Sequence, residues 1–182
     1  MHQKFKLLAA LTLASAAFAS HSAFAADGTI TFTGSVTANT CAIAGNGASS
    51  KNFTVALPNV SNKTLAAAGD TAGRTPFSIA LTGCTPNTGN VHTFFEAGPT
   101  VDTASGNLIN TSTGGAANVQ IGLLNADASA IKAGATDASQ NSKAVALAGG
   151  NATLQYIAQY VATGATTAGA VNSSVQYTIV YP

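Results

Sequence analysis

The stretch TITFTGSV, Thr29 to Val36, puts Ile30, Phe32 and Val36 on alternate positions, with threonine, serine and small residues between them. That period of two is the pattern of a β-strand with one buried face. The alternate position in the middle of the apolar face is Gly34. A glycine inside a strand costs about 0.5–1 kcal/mol relative to alanine. It marks either a bulge or a place where another backbone comes close. What this strand lies against therefore decides the architecture.

Upstream, Lys4 and Lys6 make a basic start, LLAALTLASAAFA an apolar run, and Ala23-Phe24-Ala25 a small-residue cleavage site. This order reads as a secretory signal peptide over residues 1–25, with Ala17-Phe18-Ala19 as the alternative site. The run of about 13 residues is shorter than the ~20 that span a bilayer. No cysteine closely follows either site, which argues against a lipoprotein anchor. Cleavage after Ala25 leaves 157 residues (182 less 25), enough for one domain with a real core.

Beyond Ala25 there are five basic residues (Lys51, Lys63, Arg74, Lys132 and Lys143). Six acidic residues (Asp27, Asp70, Glu96, Asp102, Asp127 and Asp137) bring the net charge to −1. Nothing here forms the basic patch that would neutralise phosphates, which argues against nucleic acid as a partner. Charged residues make up 7% of the chain, against about 25% in ordinary globular chains. A surface of Thr, Ser, Asn, Gly and Ala repels its own copies weakly and suits packing between them. The biased composition of a secreted protein accounts for the same numbers. Two cysteines, Cys41 and Cys84, in an exported chain read as one disulfide. The loop between them is 43 residues (84 less 41), for which chain entropy assigns on the order of 4 kcal/mol. A metal site at this pair finds little support, because His92 is the one histidine past the leader.

The remainder reads as short strands between turn-rich loops. NFTVALP alternates through Phe53, Val55 and Leu57, and TPFSIALTGC through Phe77, Ile79 and Leu81 to Cys84. VHTFFEA is a third run, around Phe94 and Phe95; NVQIGLL alternates through Val119, Ile121 and Leu123. LQYIAQYVA carries Leu154, Tyr156, Ala158 and Tyr160 on one face, and SVQYTIVYP carries Val175, Tyr177, Ile179 and Tyr181. Only KTLAAAGD offers a turn or two of helix. Many short strands, without helical alternation, repeats or a composition break, predict one all-β sandwich domain.

Catalysis needs positioned reactive groups, and few are present. His92 and Glu96 fall on one face of an expected strand, where a catalytic pair or half a metal site competes with two ordinary solvated residues; the latter reading is preferred. No serine lies in a G-x-S-x-G elbow, and no glycine loop precedes Lys-Ser/Thr. The sequons at Asn62, Asn110, Asn151 and Asn172 follow from composition. The expectation is no enzyme, no cofactor and no metal.

Together, ITFTGSV ahead of the first cysteine, FSIALTGC carrying the second, the central ANVQIGLLN, QYIAQYVATG before the last strand, and Tyr181 as penultimate aromatic resemble the structural pilins of chaperone–usher fimbriae. Gly169, fourteenth from the C-terminus, matches the glycine of that pattern. The likeness covers the chain beyond Ala25 and lies closest to the major shaft subunits of type 1-like pili. It implies an incomplete immunoglobulin-like sandwich over residues 39–182, lacking its seventh strand, and a donor-strand extension over residues 26–38. A periplasmic chaperone would fill the resulting groove first; at the outer-membrane usher, the extension of another copy would replace it. Ile30, Phe32 and Val36 would then enter pockets of a neighbour, and Gly34 would cross where the groove is shallow. The alternative is a strand of its own sandwich with a bulge at Gly34. Gly169, Val175, Tyr177, Ile179 and Tyr181 would belong to the chaperone and subunit interface. Pro182 departs from the pattern, offering a terminal carboxylate but no backbone N–H. The implied function is a structural subunit of an extracellular fimbria on the bacterial surface. Two rivals remain: a minor or tip subunit binding a host receptor, and a secreted carbohydrate-binding β-sandwich. The second would usually expose aromatics, and this chain has no Trp.

Overall fold

The segment with the clearest alternation forms the longest strand. In the computed structural model, which describes residues 28–34, 36, 38 and 40–181, the second strand, β2, runs Thr71–Thr85. It buries Phe77, Ile79 and Leu81 while the residues between them face outward. The first strand, β1 (Thr40–Gly45), lies antiparallel to its C-terminal half. On its other side β2 pairs over nearly its full length with β8 (Ala152–Ala162), placing Phe77 opposite Tyr156 and Ile79 opposite Leu154. Then come β5 (Val119–Asn125), paired to β8, and the two-residue strands β4 (Leu108–Ile109) and β6 (Ala130–Ile131), both paired to β5. These six strands make one sheet in the order β1-β2-β8-β5-β4, with β6 also on β5.

The second sheet has three strands: β7 (Val145–Ala146), β3 (Asn90–Phe95) and β9 (Tyr177–Val180), with β3 in the middle. Between the sheets Phe77, Phe95 and Tyr156 form an aromatic cluster. Tyr156 stands 5.5 Å from Phe77 and meets Phe95 edge-on at 5.4 Å between ring centres. Such tilted and edge-on pairs are the favoured aromatic geometry.

The chain divides into two units, residues 1–36 and 37–182. In the first, Ile30, Phe32 and Val36 are almost wholly exposed, at 80%, 88% and 104%. The described residues between 28 and 36 form no strand, although their alternation predicts one. A strand exists only through a partner that satisfies its N–H and C=O groups, and sequence alternation cannot supply that partner. The expected signal peptide over residues 1–25, and Ser35 and Pro182, lie outside the described residues.

Within the second unit the strands expected around Phe77, Phe94, Ile121, Tyr156 and Ile179 all form. The expected strand through Phe53, Val55 and Leu57 does not: the three side chains are half-buried and alternate with exposed neighbours, but the segment pairs with nothing among the described residues. KTLAAAGD supplies a short 3-10 turn, Asn62–Leu65, whose N-cap Ser61 hydroxyl accepts from the Lys63 N–H. The helix α1 (Asp137–Gln140) and the two-residue strands have no periodic signal, being too short to carry one.

Candidate functional site

The disulfide closes one end of the structure. Cys41, in β1, and Cys84, near the end of β2, are bonded, with Cα atoms 4.2 Å apart. The antiparallel register brings them together, since Thr40 faces Thr85 and Ala42 faces Thr82.

Past β1 the chain turns at Asn46-Gly47 and continues in extended form from Phe53 towards Val60. Phe53 is seated directly on β1, because Gly45 leaves the space a Cβ would fill. Its ring lies 6.2 Å from Phe77. Among the described residues, Phe53–Val60 has no backbone hydrogen-bond partner.

The opposite wall is the segment from Val171 to Tyr181, of which only Tyr177–Val180 is paired as β9. Among the described residues its backbone is satisfied on one side. The carbonyl of Gln176 accepts from the Glu96 N–H and that of Asn172 from the Thr111 N–H, and the Ser174 carbonyl accepts from the Thr100 hydroxyl at 2.6 Å. In an extended chain neighbouring residues point their polar groups to opposite sides. The N–H and C=O groups of Ser173, Val175, Tyr177 and Ile179 therefore point away from β3, and β9 has no strand on that side among the described residues.

Between these walls lies an open groove of about 1040 Å³. Its floor includes Phe77, Ile79, Phe95, Leu108, Ile121 and Leu123, all core side chains. Val175, Tyr177, Ile179 and Tyr181 line one side and Phe53, Val55 and Leu57 the other. Burial raises the phenol pKa of Tyr177 and of Tyr181, so both stay protonated donors at neutral pH. The two charged residues at the rim are Lys51 and Glu96; Glu96 accepts from the Thr178 hydroxyl at 2.7 Å. The hydroxyl of Ser173 is buried at the wall without a hydrogen-bond partner among the described residues.

A groove lined by apolar side chains, with unpaired backbone along its walls, has the chemistry of a strand acceptor. Its described lining holds no nucleophile–base pair. His92 and Glu96 do not act together: His92 Nε2 lies 2.7 Å from the Asp137 carboxylate, while Glu96 turns to Thr178. Of the five residues expected at an interface, four line the groove and Gly169 does not. Gly169 is exposed, and a Cβ there would run into the backbone of Gly115 and Ala116; close chain crossing accounts for the glycine.

Sequence reading missed Gln140. This fully buried side chain accepts from the Phe95 N–H and donates to the Phe95 carbonyl, both at 2.8 Å. It thereby satisfies the Phe95 backbone on the edge of β3 away from β9, while the Phe95 ring enters the groove floor. A glutamine in a four-residue helix carries no pattern that could have revealed this.

Residues 57–182 match the family described as "Type-1 fimbrial protein, A". The chain is 50% identical to the F17 fimbrial protein of Escherichia coli, over 91% of this chain and 93% of that protein. It is 51% identical to the major fimbrial subunit SMF-1 of Stenotrophomonas maltophilia, over 86% and 94%. Among solved structures, a chaperone–usher pilus subunit from work on rod uncoiling superposes with a TM-score of 0.59, at 21% identity over 86% of this chain and 96% of that one. The P pilus rod subunit PapA gives 0.56, at 19% identity over 78% and 99%. The fold is that of these immunoglobulin-like pilin subunits.

Proposed function

Because the chain belongs to the type-1 fimbrial protein family and is a fimbrial subunit, we propose that it polymerises by strand addition, with residues 26–38 of one copy filling the groove of the next. The observation that carries this reading is the groove itself: an opened core whose two walls lie along Phe53–Leu57 and Ser173–Tyr181. An uncovered apolar edge is an aggregation hazard, so an occupant of the groove protects the subunit. Ile30, Phe32 and Val36 are exposed, alternate correctly, and belong to the same chain. Among the described residues nothing lies within 4 Å of a Cβ added at Gly34, so its absent side chain answers to a surface outside those residues. Before assembly a periplasmic chaperone covers the groove, and exchange takes place at an outer-membrane usher. The resemblance to a major subunit at half identity favours the shaft over the tip.

Fimbrial subunits form extracellular surface fibres, and their family is structural and not enzymatic. We extend both statements to this chain, with no catalytic residue assigned. No described helix is long and apolar enough to cross a membrane.

The test removes residues 26–37. The truncated subunit should fold and bind its chaperone but fail to donate, and a peptide of residues 27–38 should raise its melting temperature, since a ligand of the folded state alone stabilises it. Gly34→Leu should fold normally yet assemble poorly, because overpacking costs about 1–3 kcal/mol. An unstable Gly34→Leu monomer, or a truncated subunit that ignores the peptide, would overturn the reading.

A further inference from the structure

One side chain joins the two walls of the groove. The Tyr177 hydroxyl, from β9, donates to the Lys51 carbonyl on the opposite wall at 2.7 Å. The Tyr177 ring also meets the Phe53 ring edge-on, with centres 6.2 Å apart. A side chain that starts on one wall and ends on a main-chain oxygen of the other necessarily lies across the gap. Neighbouring strands stand about 4.8 Å apart, so a strand seated between two walls holds them about twice that distance from one another. The Tyr177–Lys51 bond and a seated strand compete for the same space.

We propose that Tyr177 is a bolt across the empty groove, and that opening its bond to Lys51 limits the rate at which a strand is taken up. The inference rests on the strand-acceptor reading above. Lys51 and Phe53 occupy the start of a segment that, among the described residues, has no backbone partner from Phe53 to Val60. At that end the segment is held by the Gly45 N–H donating to the Ser50 carbonyl at 2.9 Å, by the bolt at Lys51, and by the seating of Phe53 on Gly45 and Phe77. With the bolt drawn, the wall swings about Phe53 and the gap widens. Tyr177 is a positioning residue here: it sets where the opposite wall stands, and the arriving strand supplies the bonds that replace its own.

The experiment compares Tyr177→Phe, which keeps the ring and deletes the donor, and Tyr177→Leu, which deletes both, with the unmodified chain. The first readout needs no ligand. Trypsin cuts after Lys51, whose carbonyl is the one held by the bolt. Cleavage there should quicken roughly two- to tenfold in Tyr177→Phe, the range one hydrogen bond covers, while cleavage after Lys132 stays unchanged. The second readout is uptake of a labelled peptide of residues 27–38, whose association rate should rise by a similar factor with no fall in melting temperature of the filled subunit. A merely structural role for Tyr177 would lower that temperature and leave association no faster. Unchanged cleavage at Lys51, or slower peptide association in either variant, would overturn the bolt. A peptide that binds none of the proteins, with cleavage at Lys51 accelerated, keeps the bolt and removes the strand-acceptor reading instead.

Discussion

At Gly45 an added Cβ would collide with the ring of Phe53, so one missing side chain sets where a groove wall begins. Gly45→Val should push Phe53 off β1 and destabilise the subunit by about 1–3 kcal/mol, measured by urea denaturation of the filled form. A variant as stable as the parent would show that the wall is not held there. Asp127 illustrates a different control. Its carboxyl is held well below the usual carboxylate range, first by the hydrogen bond from the Lys143 ammonium and then by the Ser129 hydroxyl and N–H. A pKa lowered in the folded state contributes stability above the unfolded value, near 3.8, and loses it as pH falls through the lower folded value. Asp127 should therefore remain charged in acid that protonates ordinary carboxylates (about pH 3.9). Lys143→Ala should move its titration, followed by NMR, back towards that value. The pair is exposed, so the effect belongs to the titration curve and not to a large change in stability.

Among the elements, β9 carries the most consequence for its four residues. It is bonded to β3 on one edge, with Thr93 opposite Ile179 and Phe95 opposite Tyr177, and it offers the other edge to the groove. Deleting residues 175–182 should remove both a wall and part of the core, since Ile179 is buried among the core side chains. The expected outcome is degraded or aggregated subunit and no recoverable chaperone complex, scored by co-purification from the periplasm. Normal yield of a soluble, chaperone-bound truncation would refute the assignment of β9 as the binding edge. Alternation alone made β9 legible, because Val175, Tyr177, Ile179 and Tyr181 repeat every second residue. The same signal in Phe53, Val55 and Leu57 predicts a strand that does not form. Alternation reports which side chains face inward, and they do; it carries no information about whether a backbone partner exists.

For the whole molecule, the described residues leave an apolar groove open between two walls, and the strand addition proposed above would fill it. The sequence by itself determined the all-β class, the inward faces of β2, β5, β8 and β9, and an apolar segment before Cys41. These follow from side-chain periodicity, a property of neighbouring residues that needs no folded context. The cysteine pair was legible too, because two thiols in an exported chain leave one pairing. The gap between Phe53–Leu57 and Ser173–Tyr181 was decided only in the tertiary structure. It depends on which edges remain unpaired after residues more than a hundred positions apart in sequence have come together, as Lys51 and Tyr177 do. Gln140 bonding both backbone groups of Phe95 and Gly169 crossing Gly115–Ala116 were likewise decided by long-range contact. A single polar or small residue carries no period, and its role is set by whatever the rest of the chain places beside it.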